Sequence, residues 1–225
     1  MNTRTNINTS SVCKVSMTTR FAYVLTLNTE SDRARSCEDL LKKIGFIVTF
    51  VNVIPHTDPV ISNKKSMEHI YEMVRDLSQS DQEFSYIFED DIATHSDIKL
   101  SEIVKYERLS DMFFYLGVCI PLDLPPSNQR TGYSILGYPV LSISGNVRGL
   151  HAIALSRRGA RHLLDFAKNS THNYMDMILN DFSLTHPANI VRYDLESYIP
   201  GHRGMFFQDR KKYPSSIPDE PSPIA

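Results

Sequence analysis

The stretch "FSYIFEDDIATHSD", Phe84 to Asp97, decides how the rest of the chain is read. Phe84, Tyr86, Ile87 and Phe88 form a buried-looking strand that runs directly into Glu89, Asp90 and Asp91. Three adjacent carboxylates repel one another and raise each other's pKa, so a structural use of them needs a compensating cation. A bound metal, a nearby Arg or Lys, or plain water at an exposed loop would each meet that need.

Upstream of this stretch, strand and helix patterns alternate. "FAYVLTL" (Phe21 to Leu27) is β-branched and aromatic and reads as a first buried strand. Ser31 or Asp32 offers an N-cap for "RARSCEDLLKKIGF", whose apolar Leu40, Leu41 and Ile44 end at Gly45, a natural C-cap. "FIVTFVNVI" reads as a second strand, broken at Pro55. In "SNKKSMEHIYEMVRDLSQS", Met67, Ile70, Tyr71, Val74 and Leu77 share one helical face. With "FSYIF" as the third strand, the order β-α-β-α-β predicts a parallel sheet with helices packed on it. Ligands of such sheets sit beyond the carboxyl ends of the strands, which is where Glu89, Asp90 and Asp91 fall.

The second half is less regular. "DMFFYLGVCI" reads as a strand, followed by the Pro-rich loop "PLDLPPSNQRTG", then by strands in "YSILGYPVLSIS" and "GLHAIALS". "RRGARHLLDFAKN" and "YMDMILNDFSLTH" read as helices and "NIVRYD" as a last strand. The fold expected is a single α/β domain with a mixed central sheet.

Composition narrows the function classes. The chain has 225 residues, is 41% hydrophobic and carries a formal charge of −2, enough for one substantial core. That charge gives no electrostatic reason to expect a nucleic-acid partner. Cys13, Cys37 and Cys119 are odd in number and lack metal-site spacing, which suggests a reducing compartment. No run approaches the roughly 18 apolar residues of a membrane span, and the polar start lacks the apolar stretch of a signal peptide. A cytoplasmic protein without a membrane span is therefore expected. The expected boundaries are a flexible tail over 1–19, one folded domain over 20–213 and a Pro-rich tail over 214–225.

The ordered features resemble glycosyltransferase family 25, the lipopolysaccharide and collagen galactosyltransferases, and are similar to small soluble glycosyltransferases of large DNA viruses. Six pieces carry the resemblance. "LTLNTESDRAR" matches the family's first turn, with Thr26 at the usual Asn, Asn28 at the usual Asp and Arg33 retained. "MEHI" keeps the His of a Ser-His helix as His69, and "IFEDDI" matches a strand ending Glu-Asp-Asp. "HAIALSRRGARHLL" and "NYMDMIL" match two later elements, the second with Asp176 at the family's Asp; "FFQDRKKYPSSI" resembles the closing one, with Gln208, Ser215 and Ile217. The resemblance implies a GT-A fold (a Rossmann-like nucleotide-diphospho-sugar transferase) for the folded domain. It also implies transfer of a hexose or related sugar from a nucleotide sugar, a UDP-sugar first, to a glycan or glycoprotein acceptor. The setting would be the cytoplasm, that of the host if the source is viral.

Such chemistry gives the carboxylates a use. A leaving diphosphate develops negative charge that a divalent cation stabilises, and Mn²⁺ or Mg²⁺ takes carboxylate oxygens together with substrate phosphates. Glu89 and Asp91, two apart in an extended segment, point the same way as in an Asp-x-Asp (DXD) motif. Glu89 and Asp91 are thus the expected metal ligands, with His202 of the Gly-flanked "IPGHRGMF" as a third; Glu89 is alternatively a ribose contact. Asp90 should face the opposite side, toward a Lys, an Arg or a backbone N–H. Thr26, Asn28 and Arg33 are expected at the nucleotide, Arg203 at phosphate or in water, and His69 as a buried support of the donor pocket. The resemblance points to Asp176 as the base that takes the acceptor's proton, with Asp181 further along the same helix as the alternative, and His151 within possible reach of the cleft. Two other classes compete: a Mg²⁺-dependent phosphohydrolase and a non-catalytic sugar-nucleotide-binding module. A phosphatase of the Asp-x-Asp nucleophile type would place its motif after the first strand, which here ends "LNTES".

Overall fold

The computed structural model describes residues 19–95, 97–135, 137–190 and 192–214. The two expected tails, Cys13, and the matched Ser215 and Ile217 lie wholly or almost wholly outside them. Strand β1 (Phe21–Thr26) leads into helix α1 (Asp32–Ile44), β2 (Ile47–Asn52), helix α2 (Pro59–Leu77) and β3 (Phe84–Glu89). Local chemistry sets the boundaries. The Ser31 side chain accepts from the Ala34 N–H to open α1, and Gly45, at φ 116°, closes it in the left-handed region that glycine tolerates. Helix α2 starts earlier than its periodicity alone suggests. Asp58 caps the Val60 and Ile61 N–H groups, and Pro59 fits the first turn, where its missing N–H costs nothing. At its far end Leu77 is exposed rather than core, because the helix stops there and leaves nothing to pack over it.

Downstream come β4 (Ile92–Thr94), the one-turn helix α3 (Leu100–Ile103) with a 3₁₀ turn after it, β5 (Phe113–Cys119), β6 (Ser127–Ile135), β7 (Tyr138–Ser144) and β8 (Arg148–Ser156). Helices α4 (Arg157–Asn169) and α5 (Met175–Thr185) follow, then three short strands, β9 (Ala188–Ile190), β10 (His202–Gly204) and β11 (Phe206–Gln208). The main sheet runs β2-β1-β3-β8-β5-β9-β7-β6, with β10 added beside β5. Strands β1, β2 and β3 are mutually parallel, as their alternation with helices requires. Strand β8 runs antiparallel between β3 and β5 and makes the sheet mixed. This is the Rossmann-like α/β architecture expected of a GT-A domain. Two expectations in the second half need correction. The Pro-rich loop ends before Ser127, where edge strand β6 begins, and "YSILGYPVLSIS" is not one strand but the end of β6, a turn and β7. Gly137, at φ 82°, supplies a turn conformation that L side chains rarely adopt.

Strand alternation divides the core into two layers. Phe84, Tyr86 and Phe88 of β3 face Cys37, Leu41 and Ile44 of α1. Ile87 faces the other side, where α2, α4 and α5 contribute Ile70, Val74, Leu163, Ile178 and Phe182. The buried-strand reading of Phe84 to Phe88 holds on both faces. Among the described residues no helix is long and apolar enough to cross a membrane.

Candidate active site

Strands β1 and β3 are parallel neighbours in register, Leu25 opposite Glu89, so their carboxyl ends bring Thr26 and the acidic turn together. Thr26 Oγ1 donates to Asp90 Oδ2 at 2.6 Å. Arg33, in the first turn of α1, donates through Nε to Asp90 Oδ1, and its Nη2 lies 3.3 Å from Asp91 Oδ2. From the far end of the chain, β11 pairs antiparallel with β4, and the Asp209 N–H donates to the Asp91 carbonyl at 2.8 Å. This strap places Gln208, whose Nε2 donates to Glu89 Oε2 and, at 3.4 Å, to Asp91 Oδ2. Arg210 follows on the same strap. Its Nε and Nη2 donate to Gln208 Oε1 at 3.3 and 3.0 Å, and its Nε stands 4.0 Å from Asp91 Oδ2.

A glycine lets the strap lie this close to the sheet. At a β-bulge in β5, a Cβ on Gly117 would meet the Phe206 carbonyl oxygen at 2.2 Å and His151 Nε2 at 2.5 Å. No side chain fits there, so β11 rests on bare backbone.

The electrostatics answer the question that the three carboxylates raise. Arg33 is shared between Asp90 and Asp91, so the expected division of the two carboxylates to opposite sides is only partly met. Burial, and then the neighbouring Asp91, push Glu89 up to about 8, against the pull of Arg210 and Arg33. Burial likewise raises Asp91, opposed by the same two arginines. At neutral pH the cluster is thus held by two guanidinium groups and a proton on Glu89. One oxygen is left over: Asp91 Oδ1 is buried and has no hydrogen-bond partner among the described residues. An oxygen-seeking dication would suit it, taking the place of the proton on Glu89. Among the described residues no three His, Cys, Asp or Glu side chains gather to hold a metal. Two carboxylates alone would leave most of the coordination shell of a hard cation to ligands from outside the protein.

The cluster forms part of the wall of a cleft of about 470 Å³. Thr26, Asn28, Arg33, Glu89, Asp90, Asp91 and Asp176 all line it, so most of the residues singled out from sequence converge on one space. Asn28 accepts the Glu30 N–H through Oδ1. Asp176 sits in the first turn of α5, its Oδ1 accepting the Met177 N–H at 2.9 Å.

Three expected residues lie elsewhere. Asp181 does not line the cleft: it pairs with His172 Nε2 at 3.1 Å and accepts from Asn180, because five residues along the helix its side chain has turned to another face. His69 is not a buried support of the donor pocket. Its side chain is 50% exposed, 3.9 Å from Glu72, and borders a separate hollow with Phe50 and Met73, since the buried face of α2 runs through Met67, Ile70 and Tyr71. His202, on β10, is not among the cleft-lining residues. Its Nε2 lies 3.3 Å from Cys119 Sγ, and its ring stacks on His151 at 5.8 Å. Arg203 beside it pairs with Glu196 at 3.3 Å.

Cys119, which lines the same cleft, makes a second polar cluster with half-buried His202 and fully buried His151. Burial pushes the Cys119 thiol up to about 12 and drives His151 down to about 3, with His202 adding to the latter effect. Neither nitrogen of His151 makes a well-formed hydrogen bond, although the Phe206 backbone is near enough to favour its charged form. His202 is also lowered, by burial and then by Arg210.

Sequence reading assigned no site role to Gln208, Arg210 or Arg148, all of which line the cleft. For the first two, a signal existed in their i, i+2 spacing on a short strand and its continuation, which puts two polar side chains on one side.

No protein-family model matches the chain, and no curated protein matches it. The resemblance to family 25 and to viral enzymes thus rests on the matched residues alone. Among solved structures, the apo-form glycosyltransferase GlyE of Streptococcus pneumoniae TIGR4 is similar at 9% identity and a TM-score of 0.42. That similarity covers 76% of this chain and 44% of the other, so the chain spans less than half of that enzyme's length.

Proposed function

We propose that the cleft binds a nucleotide sugar, a UDP-sugar first among the candidates, and transfers its hexose to a hydroxyl of a glycan or glycoprotein. The observation that carries the reading is the buried Oδ1 of Asp91, without a hydrogen-bond partner among the described residues, set beside Glu89 on the wall of a cleft that also holds Asp176. Glu89 and Asp91 would hold Mn²⁺ or Mg²⁺, which when bound stabilises the negative charge of the departing diphosphate.

The protein's own residues do the rest. Gln208 fixes the two carboxylates relative to each other, and Arg33 with Thr26 fixes Asp90 and the turn beneath them. In the transfer, the bond from the anomeric carbon to the phosphate oxygen breaks and its electron pair leaves with the diphosphate. The acceptor oxygen bonds to the anomeric carbon, and its proton passes to the Asp176 carboxylate. Asp176 stands in the first turn of α5, the end of a helix dipole that favours negative charge, and a weak base suffices when the proton leaves late.

The test is a thermal-shift panel of nucleotide sugars with and without Mn²⁺, since a ligand of the native state raises its melting temperature. A UDP-sugar with Mn²⁺ should raise it more than either alone. A panel in which no nucleotide sugar shifts it under either condition would remove the reading.

A further inference from the structure

The cleft carries two arginines from opposite ends of the chain, and the structure commits them differently. Arg33 is committed to acids: its Nε donates to Asp90, and its Nη2 lies 3.3 Å from Asp91. Arg210 is not. Its hydrogen bonds among the described residues go to the neutral carbonyl oxygen of Gln208, and Asp91 stays 4.0 Å away. A guanidinium has five N–H donors; the two of Arg210 that are bound go to one neutral oxygen, and its side chain is 32% exposed at the cleft. Its backbone is nonetheless anchored. The preceding Asp209 donates its N–H to the Asp91 carbonyl, and its carboxylate accepts from Tyr198 Oη at 3.0 Å and from the Lys212 N–H at 3.2 Å.

We infer that Arg210 is the residue that grips the diphosphate of the bound nucleotide, while Arg33 is the fixed counter-ion of the acidic turn. The inference rests on the nucleotide-sugar reading of the same cleft and adds to it a named anion contact on the closing strap. An arginine held by a neutral acceptor at the edge of a carboxylate pair is attracted to that pair yet not neutralised by it. A diphosphate entering the cleft offers it anionic oxygens in the forked geometry that guanidinium matches. Gln208 then has a second task beyond spanning Glu89 and Asp91. Its carbonyl holds Arg210 pointed at the cleft before the ligand arrives, so little side-chain freedom is lost on binding.

The experiment is a calorimetric titration of wild type, Arg210→Ala and Arg210→Lys with UDP, uridine and inorganic pyrophosphate, each with and without Mn²⁺. Loss of charge-assisted hydrogen bonds to phosphate should weaken UDP and pyrophosphate binding about 10- to 100-fold in Arg210→Ala. Uridine binding should be unchanged, because it has no phosphate. Arg210→Lys should fall between the two, keeping the charge but not the fork. Arg210→Lys should melt close to wild type, since it keeps the cation beside Asp91; Arg210→Ala also removes that cation, so its unchanged uridine binding is the control for an intact cleft. Wild-type affinity for UDP and pyrophosphate in Arg210→Ala, or an equal loss of uridine binding, would overturn the inference. Wild type that binds pyrophosphate through Arg210 but no nucleotide would keep the anion grip and remove the nucleotide-sugar reading. Wild type that binds neither removes both.

Discussion

Two clusters of polar side chains flank the strap formed by β11, and they handle charge in opposite ways. Glu89, Asp90 and Asp91 sit among Arg33, Arg210, Gln208 and Thr26 and remain an ionic network, with Glu89 keeping a proton. Cys119, which also lines the cleft, His151 and His202 have no hydrogen bond to a carboxylate among the described residues, and burial favours the neutral thiol and the neutral His151. Both clusters contain residues that, on type alone, suit a metal. What separates them is the surroundings: arginine counter-charges stand beside the first, while the second gathers at β5, β8 and β10 with burial favouring its neutral forms. Residue type proposes chemistry, and the neighbours decide whether the group can carry charge.

The largest effect that would sharpen this contrast is at Asp176, the acid on the cleft that belongs to neither cluster. Asp176→Asn should lower transfer by roughly 10² to 10⁴ while leaving donor affinity nearly intact, the usual scale of a general base. Asp181→Asn should do far less, because Asp181 lies outside the cleft on His172. One assay of UDP release in the presence of acceptor reads both variants. An equal loss in both would place the base elsewhere.

The next effect is on stability against pH, where the two clusters should show slopes of opposite sign. Glu89 goes from an ordinary value of 4.5 when unfolded to about 8 when folded. Its folded form keeps a proton that the unfolded chain has lost, so metal-free stability should decline as pH rises from about 4.5 to about 8. Glu89→Gln should flatten that decline in thermal melts taken across the range. His151 goes the other way, from 6.5 to about 3, so its contribution is present above pH 6.5 and lost as pH falls toward 3. His151→Gln should remove that acid-side loss and leave the alkaline side untouched. Slopes of the same sign in the two variants would erase the distinction between the clusters.

The smallest effect is expected at His202. If it belongs to the second cluster, His202→Ala should change Mn²⁺-dependent nucleotide affinity by no more than about threefold, within the range of mutations remote from a site. A loss matching that of a carboxylate ligand would return His202 to the metal.

The first three strands and their helices were legible from sequence because most of their boundaries are written locally. Ser31 and Gly45 bracket α1, an apolar face marks the body of α2 although its opening at Asp58 and Pro59 was not read, and a hydrophobic run ends at Glu89. The closing half was less legible, for a physical reason. Strands β4, β9, β10 and β11 are three residues each, too short to show periodicity, and they exist by virtue of long-range pairing. Gln208 reaches Glu89 across 119 residues, and nothing near either residue signals the contact. Thr26, Arg33 and Asp176 were placed at the cleft because they stand at the ends of strands or the starts of helices that the pattern does reveal. His69 was misplaced since a helix position retained from a family pattern says nothing of which face is buried. His202 was misplaced since glycines on either side permit close backbone approach to any neighbour, here β5.

The most direct measurement is calorimetric titration of UDP into wild type and Asp91→Asn, each with Mn²⁺ and with chelator. In wild type, Mn²⁺ should tighten UDP binding by at least about tenfold, the least expected of a cation shared between protein carboxylates and phosphate. In Asp91→Asn that increment should vanish while the weak metal-free binding and the fold persist, because shape is kept and one charged ligand is removed. Equal wild-type affinity with and without Mn²⁺, or a full increment in Asp91→Asn, would contradict the assignment of Glu89 and Asp91 as the site of the cation.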